Sequence, residues 1–205
     1  MVYLEKFFGL PVEKQNTIID AALTSFGKNG YKKASISEIA QAAGISKAMV
    51  FHYFGTKKTL YLFLIRFCGK TLMDEVNKNF DPNVTDFFDR IKMAGDIEFE
   101  VMKRHPAIIS FLKSLYQERD EEVKSEIQSM MADKEAKDFQ MKIAFDGIDT
   151  SKFKDNVDPK QVVKMLMWMS EGCFIHLENM EGAHFDLLYQ EYIDCFNLLK
   201  NAFYK

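Results

Sequence analysis

The sequence predicts an all-α fold, and three observations carry that prediction. Apolar residues recur at helical spacing along most of the 205 residues. No segment alternates as a half-buried strand would, and no internal repeat or low-complexity tract interrupts the pattern. The four prolines (Pro11, Pro82, Pro106 and Pro159) fall where helices would begin or break. In chain order, the first helix is expected from about Pro11 to Asn29, with Ile18, Ala22 and Phe26 on one face and Gly30 as its terminator. A short helix is expected after Ser35, since Ser35 and Glu38 have capping-box spacing and Ile36, Ile39, Ala40 and Ala43 form an apolar face. Gly44 suits a tight turn, Ser46 an N-cap, and Val50 and Phe54 the buried face of the next helix.

Two short helices joined by a glycine turn form a helix-turn-helix unit, whose second helix enters the DNA major groove. Beyond it, Thr56 can cap a helix carrying Leu60, Leu64, Phe67 and Leu72 toward Asn79. The segment FDPNVTD near residue 82 marks a domain boundary. Phe87, Phe88, Ile91 and Met102 indicate a helix ending at Arg104, because His105-Pro106 disfavours continuation. Ile109, Leu112 and Tyr116 belong to a short helix after that proline. Residues 120–146 read as helical with weak patterning. Asp158-Pro159 then supplies an N-cap and first helical residue. From Val162 to Leu177 the chain is apolar on nearly every side, as in a helix buried all round in a core or against a partner. Leu188, Tyr192, Cys195 and Leu199 mark the last helix.

The stretch SKAMVFHYF at 46–54, within the wider segment Lys14 to Leu64, resembles the N-terminal domain of the TetR family of bacterial transcriptional regulators. Phe51 stands where tyrosine is common in that family, and Lys58 where an acidic residue is frequent. The resemblance implies an N-terminal three-helix DNA-binding domain over 1–56 and a connecting helix over 57–80. It further implies a helical effector-binding and dimerisation domain over 81–205. It also implies that Tyr53 donates its hydroxyl to a phosphate and that Lys57 contacts another.

The residues support that reading independently. With Val50 and Phe54 inward, Lys47, Ala48, Met49, His52 and Tyr53 remain for the groove. Lys47 suits guanine or phosphate, and Ala48 permits close approach and contact with a thymine methyl. Phe51 is expected in the core and Tyr53 near the surface. Lys57 and Lys58 occupy a helix N-terminus, where cations are disfavoured unless a phosphate binds there. Ser35 and Thr56 are caps whose amides and hydroxyls also face phosphate. Charge agrees: residues 1–80 hold 11 Lys/Arg against 6 Asp/Glu, whereas residues 81–205 hold 16 against 24. A basic N-terminal module on an acidic body fits a phosphate-binding surface.

Other classes fare worse. Cys68, Cys173 and Cys195 are odd in number and widely spaced, as reduced thiols in a cytoplasmic protein would be. Met1 to Leu10 lacks the form of a signal peptide, and Lys164 and Glu171 interrupt the most apolar run, so no membrane span is expected. His105, His176 and His184 have no metal-ligand rhythm, His176 and Glu178 face different ways on a helix, and no nucleophile elbow, P-loop or dinucleotide glycine pattern is present. No catalytic activity, metal or cofactor is expected. The C-terminal Met and aromatic content reads as ordinary core, although the resemblance implies a cavity for a small hydrophobic effector. Tyr116, Met130, Phe139, Met165 and Trp168 are the candidates for its lining. A homodimer on operator DNA is expected, since one short recognition helix contacts few bases. Its surface would be the last two helices, about 159–179 and 185–201. The expected function is a ligand-responsive regulator of transcription, a repressor released from its operator by the effector. The alternative is a helical protein-interaction module that does not bind DNA.

Overall fold

The computed structural model describes residues 2–176 and 182–205, which form eleven helices. They are α1 (Val2–Phe8), α2 (Val12–Lys33), α3 (Ile36–Ala42), α4 (Lys47–Phe54), α5 (Lys57–Asn79) and α6 (Phe87–Arg104). They continue as α7 (Pro106–Gln117), α8 (Lys124–Met131), α9 (Lys134–Phe145), α10 (Pro159–His176) and α11 (Gly182–Phe203). No strand occurs among the described residues, only two isolated bridges. Residues 177–181, including Glu178 and the end of the expected 159–179 helix, lie outside the described residues. So do the side chains of His176 and His184.

The helix boundaries follow local chemistry. The helical backbone of α2 breaks at Gly30, whose φ of 67° only glycine adopts without strain. The Glu118 carboxylate accepts the Tyr31 amide there at 2.7 Å, satisfying a donor that the break would orphan. α6 ends and α7 begins across His105-Pro106, as the proline requires. Asp158 accepts the Lys160 amide at 2.9 Å at the start of α10. Residues 120–146, expected to be helical, divide into α8 and α9, and the unpatterned Ala132-Asp133 step separates them.

The chain forms two compact units: residues 1–71 with 105–133, and residues 72–104 with 134–205. α5 contributes to both. In the first unit α2 packs on α3 and α7, and α4 packs on α3 and α1. Ile18, Ala22 and Phe26 of α2 meet Ile39 of α3, Phe54 of α4, Tyr61 of α5 and Phe111 of α7 in one buried cluster. Tyr61 sits edge-on to Phe26 at 5.0 Å and to Phe111 at 5.3 Å. In the second unit Phe87 and Phe88 of α6 pack with Val162, Val163 and Leu166 of α10 and Phe196 of α11. Buried Arg90 donates to the carbonyls of Val84, Pro82 and Ile143, fixing the turn after α5 against α9.

α2 and α7 approach closely because Gly27 has no side chain. A Cβ there would stand 2.7 Å from the Ser110 hydroxyl and 2.9 Å from the backbone nitrogen of Phe111. Backbone cannot yield as a flexible side chain does, so Gly27→Ala should cost about 1–3 kcal/mol. Gly69 in α5 has nothing within 4 Å of the same position. Gly69→Ala should therefore stabilise by up to ~1 kcal/mol through helix propensity. Urea unfolding of the two variants checks the opposite signs.

Candidate nucleic-acid interface and effector cavity

The helix-turn-helix of α3 and α4 is built as its sequence requires. Ser35 accepts the Glu38 amide at 3.4 Å, and Ser46 accepts the Met49 amide at 3.2 Å. Gly44 has a φ of 62°, turning the chain so that the Ile45 amide returns to the Ala40 carbonyl at 3.0 Å. Ile36, Ile39, Ala40 and Ala43 are all buried. Lys14 reaches from α2 to donate to the Ala43 and Gly44 carbonyls at 3.0 and 3.4 Å. It cements the turn that sets the angle of α4, a role no sequence pattern assigned to it. Its long reach across 29 residues leaves no local signal.

On α4, Lys47, Ala48, Met49 and His52 are exposed side by side, as expected. Two neighbours exchange their expected places. Tyr53 is only 6% exposed and belongs to the core, whereas Phe51 is 37% exposed. The correction has a simple cause: Val50, Tyr53 and Phe54 stand at i, i+3 and i+4, which is one helix face, and Phe51 lies off it. α1 completes the burial, with Phe7 6.3 Å from the Tyr53 ring and 4.9 Å from the Phe54 ring. The first residues thus form a docked helix rather than an extended arm.

Thr56 caps α5 by accepting the Thr59 amide at 3.0 Å. Lys57 bends back to donate to the Lys32 carbonyl at 3.1 Å and lies over the Tyr31 ring at 4.9 Å. Burial lowers its pKa against the pull of Glu122, Asp120 and Glu118. Lys58 pairs with Glu126 of α8, whose carboxyl the ammonium holds down to about 2. Both lysines therefore have intramolecular partners beside the free front of α4.

The second unit encloses a cavity of about 210 Å³ between α6, α9, α10 and α11. Phe99, Phe139, Phe185, Tyr189 and Tyr192 supply its aromatic wall. Phe99 stacks on Tyr189 at 3.9 Å and on Phe185 at 4.6 Å. Of the five residues expected to line such a cavity, Phe139 does. The other four are corrected. Tyr116 and Met130 belong to the other compact unit, where Met130 packs against the first core. Met165 and Trp168 project from the exposed side of α10, Trp168 being 61% exposed. Composition cannot distinguish the two sides of α10, but position can: Val163, Leu166, Met167, Ser170 and Cys173 face the cavity.

One lining residue had no sequence signal at all. Glu98 is surrounded by protein, and the surface it keeps opens on the cavity. No hydrogen bond or ion pair from another described residue reaches its carboxylate, and burial pushes its pKa up to about 7. Near it, burial and then Asp96, whose carboxylate accepts the Tyr189 hydroxyl at 2.5 Å, raise the pKa of Tyr189. Burial, then Cys173 and Glu98, raise that of Tyr192. Between pH 4.5 and 7 the folded chain keeps a proton on Glu98 that the unfolded chain has released. Stability from this group is therefore full below 4.5 and falls as pH rises through 7, by about 3 kcal/mol at most. Glu98→Gln should leave the melting temperature nearly unchanged at pH 4 and raise it by several degrees at pH 8. A pH series of thermal melts reads this directly.

Among the described residues no group of His, Cys, Asp and Glu is arranged to hold a metal ion, and no helix is long and apolar enough to cross a membrane.

Capped helices around a left-handed glycine, with a free polar front on the second, define a helix-turn-helix protein of wholly helical architecture. Residues 18–63 match the family model of bacterial regulatory proteins of the tetR family. The chain is 30% identical over 118 residues to the HTH-type transcriptional regulator BetI of Rhizobium meliloti (strain 1021), covering 57% of this chain. The match spans 58% of that regulator's length, so the chain covers little more than half of this relative. The fold is similar to that of FadR from Bacillus subtilis, solved in complex with stearoyl-CoA. There the TM-score is 0.70 at 15% identity, over 88% of this chain and 96% of the other. It is also similar to a TetR-family regulator from Agrobacterium tumefaciens, with a TM-score of 0.68 at 16% identity over 96% and 100% of the two chains.

Proposed function

We propose that the protein is a ligand-responsive DNA-binding transcriptional regulator, a repressor that acts as a homodimer and leaves its operator when a small effector binds. The observation that carries this reading is the free front of α4. Lys47, Ala48, Met49, Phe51 and His52 are exposed together on a helix whose opposite face is locked into the core. That is the geometry of major-groove readout, with Lys47 and His52 as donors and Ala48 and Phe51 as apolar contacts to thymine methyls. Ser35, Ser46 and Thr56 place helix N-termini beside it, where backbone amides would donate to phosphate oxygens.

Dimerisation is supported by α10 and α11. Met165, Trp168 and Ile175 on the first, with Leu187 and Leu198 on the second, are large exposed hydrophobics. Leu198 is 69% exposed. A second copy would cover them by pairing like faces about a two-fold axis. Two recognition helices would then read half-sites about 34–36 Å apart, or multiples of that. The effector reading rests on the cavity of the second unit. α5 supplies residues to both units, so a ligand that fits one of its positions better would shift the spacing of the recognition helices. The shift is bounded by the effector's differential affinity for the two states.

Selection of duplexes from a random-sequence pool tests the proposal. Enrichment of a palindrome, bound by two protomers, is the expected outcome. A pool that stays random after repeated rounds would favour the interaction-module alternative.

A further inference from the structure

The cavity also indicates the chemistry of its ligand. Its wall is mostly aromatic and aliphatic, with Gln140, Ser170 and Cys173 as neutral polar members, and among the described lining residues no Lys, Arg or His appears. Among the described lining residues the only carboxylate is that of Glu98, and no other described residue pairs with it. An ionised carboxylate buried without a partner is costly, and a protein that retains one has left a position for a donor. Tyr189 does not provide it, because its hydroxyl is committed to Asp96, which also holds Lys92 at 2.7 Å. The aromatic faces of Phe99, Phe185 and Tyr189 stand in the same wall, and such faces attract cations. An anionic headgroup would meet the opposite field, with no described cation to receive it.

We propose that this cavity binds a cationic amphiphile, a ligand whose protonated nitrogen pairs with Glu98 while its apolar frame lies among Phe99, Phe139, Phe185 and Tyr192. The inference rests on the reading of the cavity as an effector site and narrows its ligand to one charge class. Binding makes a charge-assisted hydrogen bond from the ligand's N–H to the Glu98 carboxylate. Such a pair in a cavity of lower dielectric than water is worth more than one at a surface.

Three probes on one frame test it by calorimetry at pH 8: phenylbutylamine as the cation, phenylbutanol as the neutral form and phenylbutyrate as the anion. The full-length protein should bind the amine about tenfold or more tightly than either of the others. Glu98→Gln should abolish that preference, and a cooperative thermal melt of the variant shows that it is folded. Equal or tighter binding of the alcohol or the anion would overturn the proposal. So would an amine preference that survives Glu98→Gln, or no binding of any of the three. The regulatory reading is decided separately by whether the bound amine displaces a selected operator duplex.

Discussion

Lys47→Glu should lower affinity for the operator by two orders of magnitude or more without changing the melting temperature. Lys47 opens α4, is exposed, and has no hydrogen-bond or ion-pair partner among the described residues. Nothing in the fold depends on it. On DNA, by contrast, a positive charge at the front of the recognition helix meets the phosphates or a guanine edge. One such contact is worth about 1–3 kcal/mol, and a two-fold dimer makes it twice. Reversal adds repulsion from the phosphates to that loss. The slope of affinity against salt should also flatten, since fewer counterions are released. Full retention of affinity would show that α4 is not the reading helix.

Phe7→Ala should cost about 3–5 kcal/mol and weaken DNA binding in proportion to the fraction unfolded. Phe7 is fully buried although α1 has only seven residues. Its ring lies 4.9 Å from Phe54, 5.5 Å from Phe63 and 6.3 Å from Tyr53. Truncation removes the centre of a four-ring cluster, and the vacated space cannot collapse, because α4 and α5 are also fixed by the rest of the core. α1 would then have little to hold it, since a helix of that length is not stable alone. Denaturant unfolding measures the loss, and recovery of affinity under added osmolyte would assign the binding defect to stability. A variant that is stable yet inactive would mean that α1 contacts DNA itself.

The parts of this fold legible in the sequence are those set by local chemistry. Ser35, Ser46 and Thr56 cap the helices that their spacing announces, and Gly30 and Gly44 take the positive φ that their positions require. Pro106 and Pro159 begin helices. Contacts between distant segments were less accessible. Nothing in α7 signals that it packs on α2, because the decisive feature is an absence, the missing side chain of Gly27. Lys14 reaches the turn after α3 only once α2 is in place. The exchange of Phe51 and Tyr53 was decipherable, since i, i+3 and i+4 from Val50 name Tyr53. The cavity was not, because Glu98 sits in a charged run with Glu100 and Asp96 that reads as a solvated face. Only the packing of α9, α10 and α11 around it reveals that this carboxylate is enclosed.

The central claim, sequence-selective DNA binding by a homodimer, is tested most directly by an anisotropy titration. The selected duplex and its scrambled form would be titrated at physiological salt with competitor DNA. The account predicts saturation at two protomers per duplex and at least about a thousandfold preference over the scrambled sequence. Equal binding to both duplexes, or saturation at one protomer without discrimination, would contradict it.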